Sequence, residues 1–173
     1  MRIFIAIDLD DDTKKRLGEL QDRMRRLNIG GNYSPRENLH ITLAFIGETN
    51  DPEAVFDVVE GIKFRPLDIT VDRIGSFRGT VFAGVRDTGP LEALALKIRN
   101  SLARSGISYD KRKFIPHITL VRDPVFRNGM GIDPDMEPVV TEARSFSVMK
   151  STRGRYHMIY EELCSVPASD TGR

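Results

Sequence analysis

One tetrapeptide occurs twice in this chain, as His40-Ile41-Thr42-Leu43 and as His117-Ile118-Thr119-Leu120. Two of its three histidines open the copies, a coincidence expected roughly once in a thousand on ordinary composition. The copies lie 77 residues apart, and the same offset pairs Ala6 with Ala83, Asp10 with Asp87 and Leu17 with Leu94. The matches keep the order strand, helix, strand. This constrains the 173 residues to two β-α-β-type halves related by a pseudo-two-fold axis, with a site where the equivalent strands meet.

Hydrophobic patterning supplies the elements. Residues 2–9 predict a buried strand. Asp11, Asp12 and Thr13 then supply the cap and first-turn acids of a helix to about Leu27, burying Leu17, Leu20, Met24 and Leu27 on one stripe. Residues 28–35 read as a turn, Leu39 to Ile46 as a strand closed by Gly47, and Asp51 to about Ile62 as a helix. Strands follow at about 67–76 and 80–86 around Gly79, then a helix from Pro90 through Leu102 and a strand from His117 to Arg122. Segment 124–138, with no periodicity, reads as a loop over the site. Residues 145–150 and 155–163 read as a hairpin around 151–154, and the chain after Pro167 as frayed. A single domain 1–173 is expected, with lobes at about 1–78 and 79–164 and a tail at 165–173.

On a strand, His and Thr of each tetrapeptide share one face while Ile and Leu point to the core. Each half thus offers one imidazole and one hydroxyl, and Ala44 is expected beside Thr42, leaving room for a ligand. Two imidazoles and two hydroxyls suit phosphoryl transfer to or from a ribose hydroxyl. One neutral histidine takes a proton, one protonated histidine gives one, and the hydroxyls donate to phosphate oxygens. A GxSxG nucleophile motif, a P-loop and GxGxxG are all absent from the sequence, which disfavours serine hydrolase and nucleotide-cofactor readings. Lys and Arg number 26 against 25 Asp and Glu, a net charge of +1, so coating long nucleic acid by bulk charge is disfavoured and recognition of an end by local cations stays open. The lone Cys164 excludes an internal disulfide and reads as a small buried hydrophobe. With acids interrupting the first apolar run and no span of about 20 apolar residues, a cytoplasmic location without membrane association is expected.

The chain resembles the 2H phosphoesterases, and within them the RNA 2′,3′-cyclic phosphodiesterases, also called 2′-5′ RNA ligases. The resemblance is carried by residues 2–7, by Asn38-Leu39-His40-Ile41-Thr42-Leu43-Ala44-Phe45-Ile46-Gly47 and by Phe114-Ile115-Pro116-His117-Ile118-Thr119-Leu120-Val121-Arg122. The paired HxT motifs are its specific feature. It implies an α+β, bilobed fold with duplicated antiparallel sheets lining a cleft and helices outside. It implies His117 as base on water and His40 as acid to the leaving ribose O3′, roles that are open to exchange, with Thr42 and Thr119 beside them and a 2′-phosphate as product. Tyr33 departs from the tryptophan of many relatives, which affects packing or base contact. Phe45 and Arg122, five positions after their histidines, are implied to flank the substrate base or phosphate. Strict alternation puts both on the opposite face unless a bulge intervenes, and the competing readings are a core aromatic and a surface cation.

The expected partners are RNA ends or cyclic-phosphate nucleotides, bound by a monomer with no cofactor and no metal. Competing functions are a reversible 2′-5′ ligase, a non-catalytic RNA-end binder and a histidine metal site, the last weakened because zinc sites usually take three protein ligands. His157 has no Thr two residues on and is expected to be structural or solvent-facing. Arg23, Arg25 and Arg26 read as a solvated face. Lys111, Arg112 and Lys113 read either as another such face or as cations steering an anionic end into the cleft.

Overall fold

The structure, a computed structural model, describes residues 1–127, 129, 131–133 and 135–170. Among these residues nine strands, three α-helices and one short 3-10 helix (Arg36–Asn38) form an α+β fold with two antiparallel sheets. The strands are β1 (Arg2–Asp8), β2 (Ile29–Tyr33), β3 (His40–Glu48), β4 (Leu67–Phe77), β5 (Thr80–Arg86), β6 (His117–Phe126), β7 (Asp135–Ala143), β8 (Ser145–Arg153) and β9 (Met158–Pro167). The helices are α1 (Asp11–Arg26), α2 (Pro52–Glu60) and α3 (Gly89–Arg104).

One sheet has the order β3-β1-β8-β9, the other β2-β6-β5-β4-β7. With β2 set aside, β6-β5-β4-β7 repeats β3-β1-β8-β9, and every neighbouring pair is antiparallel. The repeat seen in the sequence is therefore a repeat of sheets, but each sheet draws strands from both sides of residue 78. The helices cross over as well. α1, which follows β1 of the first sheet, packs on β2, β6 and β7 of the second, while α3, which follows β5 of the second, packs on β3 of the first and on α2. Leu17, Leu20 and Met24 of α1, and Leu91, Leu94, Ile98 and Leu102 of α3, are buried beneath these helices, each contributing about 1.5–3 kcal/mol on full burial.

Asp10 caps α1, one position before the expected acids, by accepting from Thr13 N at 2.7 Å, and its other oxygen accepts from the Thr141 hydroxyl at 2.7 Å. Leu27 is 51% exposed and not on the buried stripe, because the helix has ended at Arg26. The expected turn at 28–35 contains β2, paired with β6. Its glycines hid it: a Cβ on Gly31, at φ 132°, would lie 2.8 Å from Val121 Cγ2 and 2.9 Å from Arg122 O. Arg78 and Gly79, at φ 48° and 68°, make the two-residue turn between β4 and β5, where both positions must be left-handed.

The expected loop 124–138 is shorter, because β6 runs to Phe126 and β7 starts at Asp135. None of its described residues borders the cleft around His40 and Arg122. Asn128, Met130 and Pro134 lie outside the described residues, as do Thr171, Gly172 and Arg173 of the expected frayed tail. The final hairpin turns at 154–157, later than expected. Beyond β9 the chain is still held, by Ala168 N to Arg144 O at 2.7 Å and Ser169 N to Phe64 O at 2.8 Å. No described helix is long and apolar enough to cross a membrane.

Candidate active site

β3 and β6, the strands carrying the two tetrapeptides, touch where the sheets meet. In β3, Ile5 pairs with Ala44 but Ala6 pairs with Thr42, so Leu43 is an extra residue. In β6, Val81 pairs with Val121 but Phe82 pairs with Thr119, so Leu120 is extra at the equivalent place. Each bulge leaves two successive residues buried, Leu43 with Ala44 and Leu120 with Val121. Alternation then resumes with its parity flipped. Ala44 therefore lies in the core at 0% exposure and makes no room beside Thr42, contrary to expectation. By the same flip Phe45 and Arg122 come to the face of His40, and both border the cleft.

The bulges are braced across the sheets. Arg99 of α3 donates from Nε to Leu43 O at 3.1 Å, and Gln21 of α1 donates from Nε2 to Leu120 O at 2.9 Å and to Ser34 O at 2.8 Å. Neither brace was legible in the sequence, since both belong to helix faces that periodicity marks only as polar.

The two histidines are anchored alike. His40 Nδ1 lies 2.6 Å from Asn38 O, and His117 Nδ1 lies 2.6 Å from Ile115 O. A carbonyl only accepts, so each Nδ1 carries the hydrogen and each Nε2 is the site of proton exchange. His40 Nε2 is 2.9 Å from Thr42 Oγ1. Aromatic rings flank both imidazoles, Phe4 and Tyr160 at 5.0 and 5.4 Å from His40, and Phe77 and Phe82 at 5.1 and 5.5 Å from His117. Phe4 lies in the segment 2–7 that carries the resemblance, whereas Tyr160, Phe77 and Phe82 carry no motif, and the β1, β4, β5 and β9 pairings bring all four here.

Burial is the main force holding both imidazoles below their ordinary pKa of 6.5, and the Arg122 charge acts in the same direction on each. For His40 the Asn38 carbonyl and Asp8, its cross-strand neighbour, oppose this, while His117 adds to it. For His117 the Ile115 carbonyl is the opposing influence. Tyr160 has its phenol pKa raised by burial, with Arg122 and Arg2 pulling it down. Arg122 thus lies within electrostatic reach of all three groups.

The cleft consists of two recesses, of about 490 and 710 Å³, that share His40, Arg122, Met158 and Tyr160. Thr119, Tyr33, Asn38 and His157 border the first, Thr42, Phe45, Arg2 and Lys150 the second. The Tyr33 hydroxyl donates to Ile29 O at 2.6 Å beneath the Arg25 guanidinium. His157 stands at the rim, 3.9 Å from Glu37. Lys111, Arg112 and Lys113 border neither recess. Arg112 instead forks onto Asp110, whose carboxyl it holds down to about 2. Cys164 is half-buried, not fully buried, with Sγ 3.7 Å from Glu60, and burial foremost pushes its thiol pKa up. Among the described residues no three His, Cys, Asp or Glu side chains converge as a metal-ligand set.

The family model for LigT-like phosphoesterases matches residues 7–86, a span that includes the first tetrapeptide and not the second. The RNA 2′,3′-cyclic phosphodiesterase of Thermotoga maritima is 30% identical, covering 94% of this chain and 93% of its own. That of Aeropyrum pernix is 30% identical over 91% of this chain and 98% of its own. Among solved structures, Escherichia coli LigT complexed with 3′-AMP superposes with a TM-score of 0.86 at 27% identity, covering 98% of both chains.

Proposed function

The chain belongs to the LigT-like phosphoesterase family of the 2H superfamily, and from that membership we propose that it is an RNA 2′,3′-cyclic phosphodiesterase using His40 and His117 as a proton-exchanging pair. Water attacks phosphorus, and His117 Nε2 takes the proton that the water loses. The P–O3′ bond breaks, His40 Nε2 gives its proton to O3′, and the product carries a 2′-phosphate. The mirrored Nδ1-to-carbonyl bonds carry this reading, because they leave an Nε2 of each histidine for the reaction. Asp8, which favours the protonated form of His40, supports His40 as the acid. Thr42 and Thr119 donate to the non-bridging phosphate oxygens, Arg122 offsets charge on phosphorus, and Phe45 offers a ring face to the substrate.

The test is incubation of an RNA ending in a 2′,3′-cyclic phosphate, with the termini resolved afterwards. A 2′-phosphate is expected, with turnover surviving exhaustive chelation and a DNA 3′-phosphate end left untouched. A 3′-phosphate product, a 2′-5′ joined product as the main outcome, or activity restored only by a divalent ion would overturn the reading.

A further inference from the structure

We propose that Asn38 is a positioning residue for the reaction: its side-chain amide ties the strap that joins the two sheets to the start of β9, and so holds in place the carbonyl that fixes the His40 imidazole. This deepens, and rests on, the histidine-pair reaction above. Residues 34–39 carry the chain from β2, in the second sheet, to β3, in the first. On the side of the second sheet this strap is held by Ser34 N donating to Leu120 O at 3.0 Å and by the Gln21 amide donating to Ser34 O. Two bonds to α1 add to this, Lys14 Nζ to Glu37 O at 3.1 Å and the Arg36 guanidinium to Asp22 at 2.6 Å. On the side of the first sheet Asn38 Nδ2 donates to Met158 O at 2.6 Å, across 120 positions of sequence. A carbonyl only accepts, so the amide nitrogen and not its oxygen faces Met158. The carbonyl of the same residue accepts from His40 Nδ1 at 2.6 Å. One residue therefore refers the imidazole to β9 as well as to its own strand.

The anchor of the second histidine is built otherwise. His117 is held by Ile115 O, and Ile115, 46% exposed, has no side-chain donor with which to tie its carbonyl to another element. The two hydrogen bonds match in length, yet of the two only that of His40 is tethered through a side chain. The difference matters to a group that must deliver a proton to one leaving oxygen, because a misplacement of about 1 Å can cost about 10²-fold in rate. Met158 and Tyr160, at the start of β9, border both recesses of the cleft, and the Tyr160 ring stands edge-on to His40. The Asn38 tether thus sets the imidazole and the wall beside it in one frame. It also sets the tautomer: a ring whose Nδ1 hydrogen is committed to a fixed carbonyl keeps Nε2 for proton exchange.

The experiment compares the native protein with Asn38→Leu, close in size and without a donor, and with Asn38→Ala, by heteronuclear NMR of the histidine rings in the free protein and by steady-state kinetics on an RNA 2′,3′-cyclic phosphate. In the native protein both neutral rings should carry the hydrogen on Nδ1. In the variants His40 should gain the Nε2–H tautomer that an unanchored imidazole favours, while His117 keeps Nδ1–H. Burial foremost lowers the His40 pKa, with His117 and Arg122 acting the same way, and the Asn38 carbonyl and Asp8 raise it. Loosening the carbonyl should therefore move the His40 titration midpoint further down and leave that of His117 in place. The rate should fall by about 10–10²-fold, in kcat more than in KM. An unchanged His40 tautomer or a native kcat in a folded variant overturns the assignment, and so does a tautomer change shared equally by His117, which marks a general loosening. The ring signals need no substrate. Failure of the native protein to turn over the cyclic phosphate overturns the reaction, whereas the tautomers decide the tether by themselves.

Discussion

His40 and His117 are held by the same hydrogen bond at the same length and pulled toward the neutral state by the same main cause, burial. Replacing either with alanine should cost roughly 10²–10⁴ in rate, and the double variant should lose less than the product of the two, since the pair acts as a unit. Steady-state kinetics on a cyclic-phosphate substrate decides this, and near-full activity of His117→Ala removes the mechanism. Both free-protein pKa values lie below 6.5, so the kcat/KM bell should peak on the acid side of that value, its limbs belonging to the coupled pair. A bound phosphate anion favours imidazolium, so the kcat bell should lie at higher pH. Arg122 depresses both imidazoles. Arg122→Gln removes a positive charge, favours the protonated rings and should move both NMR titration midpoints of the free protein upward. Unmoved midpoints would show that the guanidinium does not act on the pair.

At the scale of elements, two bulges and two braces convert regular strands into a site. Gln21 is 1% exposed and donates both its bonds to backbone carbonyls. Gln21→Leu, close in size, removes the donor and should destabilise the fold by roughly 1–3 kcal/mol in urea unfolding. It should also lower kcat while leaving the bell's limbs in place, as expected of a residue that positions β6 without exchanging protons; unchanged stability and unchanged kcat would count against the brace. A bulge is named from the sequence only as the condition for Phe45 and Arg122 to turn; its presence and place escape sequence reading because Leu43-Ala44 and Leu120-Val121 are apolar pairs equally compatible with one turned face or with a locally two-sided core. β2 escapes it for the opposite reason, since the glycine that admits the β6 backbone is also the commonest turn residue.

At the scale of the molecule, each sheet is closed by strands from the other half of the chain, β8 and β9 joining β1 and β3 while β2 and β4 join β6 and β5. Separate fragments 1–78 and 79–173 should therefore remain unfolded alone, each lacking partners for its central strands, and should regain native far-UV circular dichroism only when mixed; independent folding of either would contradict the interleaving. Periodicity within single elements was enough to mark every described strand but β2 and β7, together with the amphipathic helices and the duplicated HxT faces, because alternation and a 3.6-residue period depend on neighbours only a few positions away. The tertiary structure alone decided which strands share a sheet, that α1 and α3 brace each other's sheets, and that Phe45 and Arg122 turn to the histidines' face. Those outcomes depend on register between strands as distant as β1 and β8, and a one-residue shift in register reverses every side chain beyond it.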